Sequence, residues 1–129
     1  MENKLSIICI SPTREKLQMA AMVASVAVAG GTKVVVFFSM NAILHFVSKR
    51  NIEVPVEGEF GALLTREGVP EFKDLFQMAV ELGDAELLPC SMALDLMEIK
   101  AEDLDPGFSE STGLTKFLND AENGQLLSF

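Results

Sequence analysis

Tryptophan and tyrosine are both absent from the 129 residues, there is one histidine, His45, and the only cysteines are Cys9 and Cys90. With a single imidazole and no C-x-x-C pair, one chain has too few soft ligands for a zinc or iron–sulfur site, so no metal is expected. The two thiols lie far apart in a chain expected to be cytoplasmic, which argues against a structural disulfide. Glycine-rich nucleotide fingerprints are missing too: neither G-x-G-x-x-G nor a Walker pattern occurs, and no cofactor is expected. The longest charge-free helical stretch, about Leu17 to Thr32, is shorter than the ~20 residues that span a bilayer. Met1 to Lys4 leads into a strand-like run without the basic region and cleavage site of a signal peptide. These absences predict a cytoplasmic protein with no membrane segment.

What is present is apolar side chain. Hydrophobic residues make up 49% of the chain, with nine Phe and seven Met as the bulky ones, so a folded single domain over 1–129 is expected. Charge is unevenly placed. Residues 1–80 carry eight acidic and eight basic side chains; residues 81–129 carry eleven acidic groups against Lys100 and Lys116, which is the whole net charge of −9. A surface of that sign repels phosphate backbones, so nucleic acid is not an expected partner. It serves solubility or offers a docking face to a basic protein.

Periodicity places the elements. Residues 5–10 read as a buried strand, and Ser11-Pro12-Thr13 opens a helix that stops at Gly30-Gly31. From Met19 to Ala29 that helix has no charged face, so more than one side of it must be covered, by a second chain or by the long loop. Lys33 to Phe38 is continuously hydrophobic, as in a parallel strand covered on both faces. Ser39-Met40-Asn41 leads into a second helix ending near Lys49-Arg50. Residues 51–69 form a long connection with a short helix around Ala62 to Leu64, then a helix from Glu71 to Leu82 and a third strand from Ala85 to Leu88. A short helix from Met92 to Met97, a fourth strand from Phe108 to Ser111, a helix from Thr115 to Ala121 and a last strand from Gln125 to Phe129 complete the reading. Strands alternating with helices predict an α/β domain, a mostly parallel doubly wound sheet of about five strands with helices on both faces.

In such sheets ligands gather beyond the carboxyl ends of the strands. Three exits are readable, at Ser11, at Ser39 with Asn41, and at Pro89-Cys90-Ser91, and only the third carries a nucleophile. Cys90 falls at the first turn of the following helix, where free amides at Ser91 and Met92 favour a negative charge on or next to the sulfur. Asp84, Glu86, Asp95 and Glu98 act against it unless they point to solvent. Cys9, inside its strand, reads as core. His45, four residues after Asn41, is placed to face the same edge as Cys90, and Arg66 in the long loop is an anion-clamp candidate; a surface or core place is the plainer reading of both.

The segment from Leu88 to Leu104 (LPCSMALDLMEIKAEDL) resembles the DsrE/DsrF-like family, whose members follow a strand with a cysteine, a Ser-Met helix and an Ile-Lys-x-Glu-Asp-Leu turn. Lys33 to Ser39, Val69 to Gly83 and Thr112 to Leu118 resemble its second strand, third helix and closing helix. The resemblance implies a small α/β subunit that assembles as a homo-oligomer, a trimer or hexamer. It also implies sulfur trafficking, with persulfide sulfur or thiosulfate held on the cysteine matching Cys90 and exchanged with a TusA-like or rhodanese-like protein. Some members have a second cysteine one helix further on; Glu98 and Ile99 occupy that region here, which favours a one-thiol carrier over a redox enzyme. The alternative is a non-catalytic oligomeric assembly or small-ligand-binding protein in which Cys90 is buried structure.

Overall fold

The computed structural model describes residues 3–129. Four strands, β1 (Lys4–Cys9), β2 (Lys33–Phe38), β3 (Glu86–Pro89) and β4 (Gln125–Ser128), form one parallel sheet in the order β3-β2-β1-β4. Five helices connect them: α1 (Arg14–Ala29), α2 (Glu59–Leu63), α3 (Phe72–Gly83), α4 (Ser91–Leu96) and α5 (Leu114–Asp120). Because β1, β2 and β3 lie side by side in chain order, right-handed crossovers put α1 and α3 on the same face. The chain then returns past β1 to β4, and α5 covers the other face.

The two layers part at neighbouring residues of β2. The Phe38 ring meets Phe46 at 4.6 Å, Phe76 of α3 at 5.2 Å and Phe108 at 5.3 Å. Phe37 points the opposite way and stacks on Phe117 of α5 at 5.0 Å. Alternation along a strand sends successive side chains to opposite faces, and here both faces are covered, which is why the strand reads as an unbroken apolar run.

α1 packs on α3 through small residues. Ala20, Ala21 and Ala24 are fully buried, and Ser25 Oγ donates to the carbonyls of Ala21 (2.9 Å) and Leu75 (3.1 Å). At the far end of the pair a Cβ on Gly83 would overlap Val28, so glycine is what lets the helices close there. Met19, Met22 and Val26 lie on the outward side and are exposed. Sheet and α3 thus cover the inner side of the apolar helix, and its outer side is open within one chain.

Two expected elements differ. The helix after Ser39 is a 3-10 helix, Met40–Phe46, opened by Met40 at φ 51°. A three-residue repeat stacks Ile43 over Phe46, both buried, and the segment ends where Val47 bridges Leu104. The strand expected at 108–111 forms isolated parallel bridges only, so the sheet has four strands rather than five. Leu87 pairs with Phe108 and Cys90 with Thr112, a slip of one residue between the two bridges, and Pro89 between them has no N–H to donate.

The connection at 51–69 is fastened to α1 by one carboxylate. Glu15 accepts the backbone N–H groups of Glu57 (2.9 Å) and Gly58 (2.8 Å) at the start of α2. The Glu57 amide, first among these donors, holds the Glu15 carboxyl below its ordinary value.

Phe38→Ala removes the ring shared by three aromatic contacts across sheet and helices, and is expected to lower the unfolding free energy by about 3–5 kcal/mol, read from the urea midpoint. Glu15→Ala is expected to speed trypsin cleavage after Arg66 at neutral pH, and cleavage no faster than wild type would remove Glu15 as the fastening. Since the folded Glu15 value is depressed, its contribution is present above the unfolded carboxyl pKa of about 4.3 and is lost as pH falls through the folded one. The protection factors of the Glu57 and Gly58 amides are expected to fall over that window.

Candidate functional site

Cys90 stands one residue past β3, with extended backbone (φ −69°, ψ 122°), as the N-cap of α4. Three backbone hydrogen bonds fix it. Its N–H donates to the Phe38 carbonyl at 2.9 Å, extending the β2–β3 ladder beyond the strand; its carbonyl accepts from Leu94 at 3.1 Å; and the next amide, of Ser91, donates to Thr112 at 3.0 Å. Thr112 N–H in turn donates to the Pro89 carbonyl at 3.0 Å. Proline's missing donor therefore faces the side where only an acceptor is used.

The thiol is buried, with 5% of Cys90 exposed, and its sulfur makes no hydrogen bond among the described residues. Asp84, Glu86, Asp95 and Glu98, whose charges would oppose a thiolate, are all exposed to solvent. Ser91 is half-buried, and Met92 is 52% exposed on the outer side of α4. Cys9 differs in kind. It lies within β1, 1% exposed, and burial pushes its thiol up to about 12, which makes it a core residue.

The other strand exits supply polar groups that make no hydrogen bond to the thiol among the described residues. Ser39 is buried and donates its N–H to the Cys9 carbonyl at 3.0 Å; Asn41 is exposed. Ser11 Oγ lies 3.1 Å from Thr13 Oγ1, and the Ser11 N–H donates to Phe129. Arg66 is exposed on the turn after α2. Among the described residues no cluster of three or more potential ligands could hold a metal, and no helix is long and apolar enough to cross a membrane.

His45 is buried beside the exit of β1 rather than hydrogen-bonded to Cys90. Its Nδ1 has no partner among the described residues, and neither has the buried Nε of Arg14. Burial is the main cause that lowers the His45 pKa; the Pro12 carbonyl acts the other way, and Lys73 and Arg14 lower it further. Arg14 bonds Glu71 at 3.2 Å and lies over the Phe72 ring, and Lys73 bonds Asp105 at 3.0 Å. Sequence reading missed Arg14, Lys73 and Thr112. Arg14 looks like an ordinary first-turn residue, and nothing local to Thr112 announces a bridge to a strand that precedes it by a helix.

The sequence profile of the DsrE/DsrF/DrsH-like family matches residues 39–129, the part of the chain from the exit of β2 through Cys90 to β4. The chain belongs to this family. Two solved structures share its fold. A protein of unknown function, MTH1491 from Methanobacterium thermoautotrophicum, superposes with a TM-score of 0.72 at 8% identity, covering 99% of this chain and 100% of that one. The ychN protein of E. coli gives 0.68 at 14% identity, with both chains wholly covered. No curated protein matches by sequence. The DsrE-like assignment rests on the profile, and the structural likeness extends the fold to β1 and α1, which the profile leaves out.

The depressed His45 value has a sign that can be checked. The neutral ring contributes stability above the unfolded histidine pKa of about 6.5, and that contribution is lost as pH falls below it. The thermal midpoint is expected to drop between about pH 7 and about pH 5, and to drop less in His45→Gln; equal slopes for the two proteins would show that His45 does not carry the effect.

Proposed function

We propose that this DsrE-like protein is a sulfur carrier in which Cys90 holds sulfane sulfur or thiosulfate and passes it to a partner protein. The observation that carries the reading is the place of Cys90. It is a lone thiol at the carboxyl end of a parallel strand, N-cap of the next helix, in the segment that the family profile covers. In the loading step the Cys90 thiolate attacks the outer sulfur of a persulfide RS–SH; the new bond gives Cys90–S–SH, and RS⁻ leaves with the electron pair of the broken S–S bond. Loading from tetrathionate is equally balanced: Cys90 keeps one thiosulfate unit and the other departs as thiosulfate. With no second cysteine near α4, the cargo waits for an outside thiol.

Burial of the thiol means that loading needs an opening. The Thr112 segment runs beside Cys90, held by isolated bridges rather than a continuous ladder. A basic relay protein of the TusA-like or rhodanese-like kind, drawn to the acidic second half of the chain, would dock there. The exposed outer side of α1, with Met19, Met22 and Val26, supports assembly of several copies as a trimer or hexamer. The 5% exposure of Cys90 also favours a second reading, a non-catalytic assembly protein in which the thiol is structure.

Intact-mass measurement separates the two. After incubation of the native protein with polysulfide or tetrathionate, one sulfur adduct is expected on wild type and on Cys9→Ser, and none on Cys90→Ser. An adduct that forms only in urea would sink the carrier reading and leave the assembly one.

A further inference from the structure

At the opposite ends of the same strands lies a feature that the Cys90 site does not use. Lys4, Lys33 and Glu86 are the first residues of β1, β2 and β3, and all three line the α5 side of the sheet. Lys4 and Lys33 are direct partners across the β1–β2 ladder, and Val35 pairs with Glu86 across the next. Two ammonium groups side by side on adjacent strands repel each other. Among the described residues Asp120, at the end of α5, is the carboxylate that faces them; it is already bonded to Lys116 at 2.7 Å, while Lys4 Nζ donates to its main-chain carbonyl.

α5 is too short to close this face. Between it, the strand starts and the segment before Thr112 lies a cavity of about 560 Å³, a volume suited to a small molecule. Val35, Leu88 and Phe117 give it an apolar floor. Lys4 and Lys33 stand at one end, Glu86 and Glu110 toward the other, and among the described residues Lys33, Glu86 and Glu110 form no ion pair. Lys116 and Asp120, which line the same opening, are paired with each other; Lys33, Glu86 and Glu110 are not.

We propose that this cavity binds a short zwitterionic, peptide-like molecule, its carboxylate between Lys4 and Lys33 and its ammonium on Glu86 and Glu110. Spacing and charge argue for that class. Two residues along β2 and one strand across separate the Lys33 and Glu86 backbones by roughly 8 Å. That is longer than the gap between the charges of a single amino acid and matches the termini of a di- or tripeptide, at about 3.4 Å per extended residue. A free anion would approach against a net charge of −9, whereas a zwitterion carries no net charge to be repelled. The far wall of the cavity includes Thr112, the bridge partner of Cys90, so occupancy would be felt at the thiol segment. Binding itself does not require that Cys90 carry sulfur.

Titration of the full chain with trialanine, followed by the backbone amide shifts of Ser6, Val35, Leu88 and Thr112 and by calorimetry, tests this. Saturable shifts with a Kd on the order of 1 mM are expected, with N-acetyl-trialanine amide binding about tenfold more weakly. Lys33→Glu and Glu86→Lys are each expected to weaken trialanine binding several-fold. Glu86→Gln serves if a charge reversal disturbs the fold, checked by circular dichroism, and is expected to weaken binding in the same direction. Cys90→Ser is expected to bind as wild type does, which keeps this result separate from the carrier test. Absence of saturable shifts, equal binding of the capped peptide, or shifts that follow protein concentration because a second copy occupies this face would each overturn the proposal.

Discussion

Phe38 holds together what the rest of the molecule needs at two points. Its ring fills the space between β2, the 3-10 helix and α3, meeting Phe46, Phe76 and Phe108. Its carbonyl takes the N–H of Cys90 and so fixes where β3 ends and α4 begins. Sheet register and cysteine position are therefore one constraint: a shift of β3 by one residue would turn the Leu87 side chain out of the core and the thiol to the other face. The aromatic cluster resists that shift because close-packed rings have few alternative arrangements. Even the edge partner depends on it, since Thr112 bonds both Pro89 and Ser91 and can do so only with Cys90 held between them.

Elements whose stability is local were legible in the sequence. β1 and β2 announce themselves as apolar, β-branched runs, α1 by its length and its glycine stop, and α3 by the helical spacing of Phe72, Phe76 and Ala79, which are buried. Cys90 was found from position, because a strand exit and a helix start can both be read from nearby residues. The errors share a different cause. Met40 in the left-handed region starts a 3-10 helix that ends at Phe46, short of the helix end expected near Lys49-Arg50, and its backbone angle has no sequence signal in a methionine. Residues 108–112 look like a strand and do run beside one, but the slip between their two bridges depends on Pro89, some twenty residues upstream. Likewise the burial of His45 beside Arg14 and Lys73 is a meeting of three elements that no single window of sequence contains.

The two ends of the sheet are chemically distinct. At the carboxyl ends several polar groups are buried: Ser39 and His45 lie inside, Arg14 is mostly covered, and Cys90 is 5% exposed. At the amino ends the charges are long, exposed side chains around an open cavity. This follows from the crossovers. α1, the 3-10 helix and the start of α3 all crowd the carboxyl edge on their shared face, while the opposite face has a single helix of seven residues to cover four strands. A helix that short spans about 10 Å, so part of the sheet beneath it is left uncovered.

Burial of Cys90 bears directly on what a carrier would have to do. A persulfide is more acidic and more reactive than the thiol it replaces, and water, oxidants and stray thiols all shorten its life. An exposed cysteine on a mobile loop would load easily and lose its cargo as easily. Cys90 has the opposite arrangement, a sulfur held in place by the ladder on one side and by a single bridged segment on the other. Asp95 and Glu98, which follow it in and after α4, are exposed, where solvent screens their charge from the sulfur. In the carrier reading selectivity then lies in access: the fold keeps the thiol in position, and a docking protein must supply the opening through which sulfur passes.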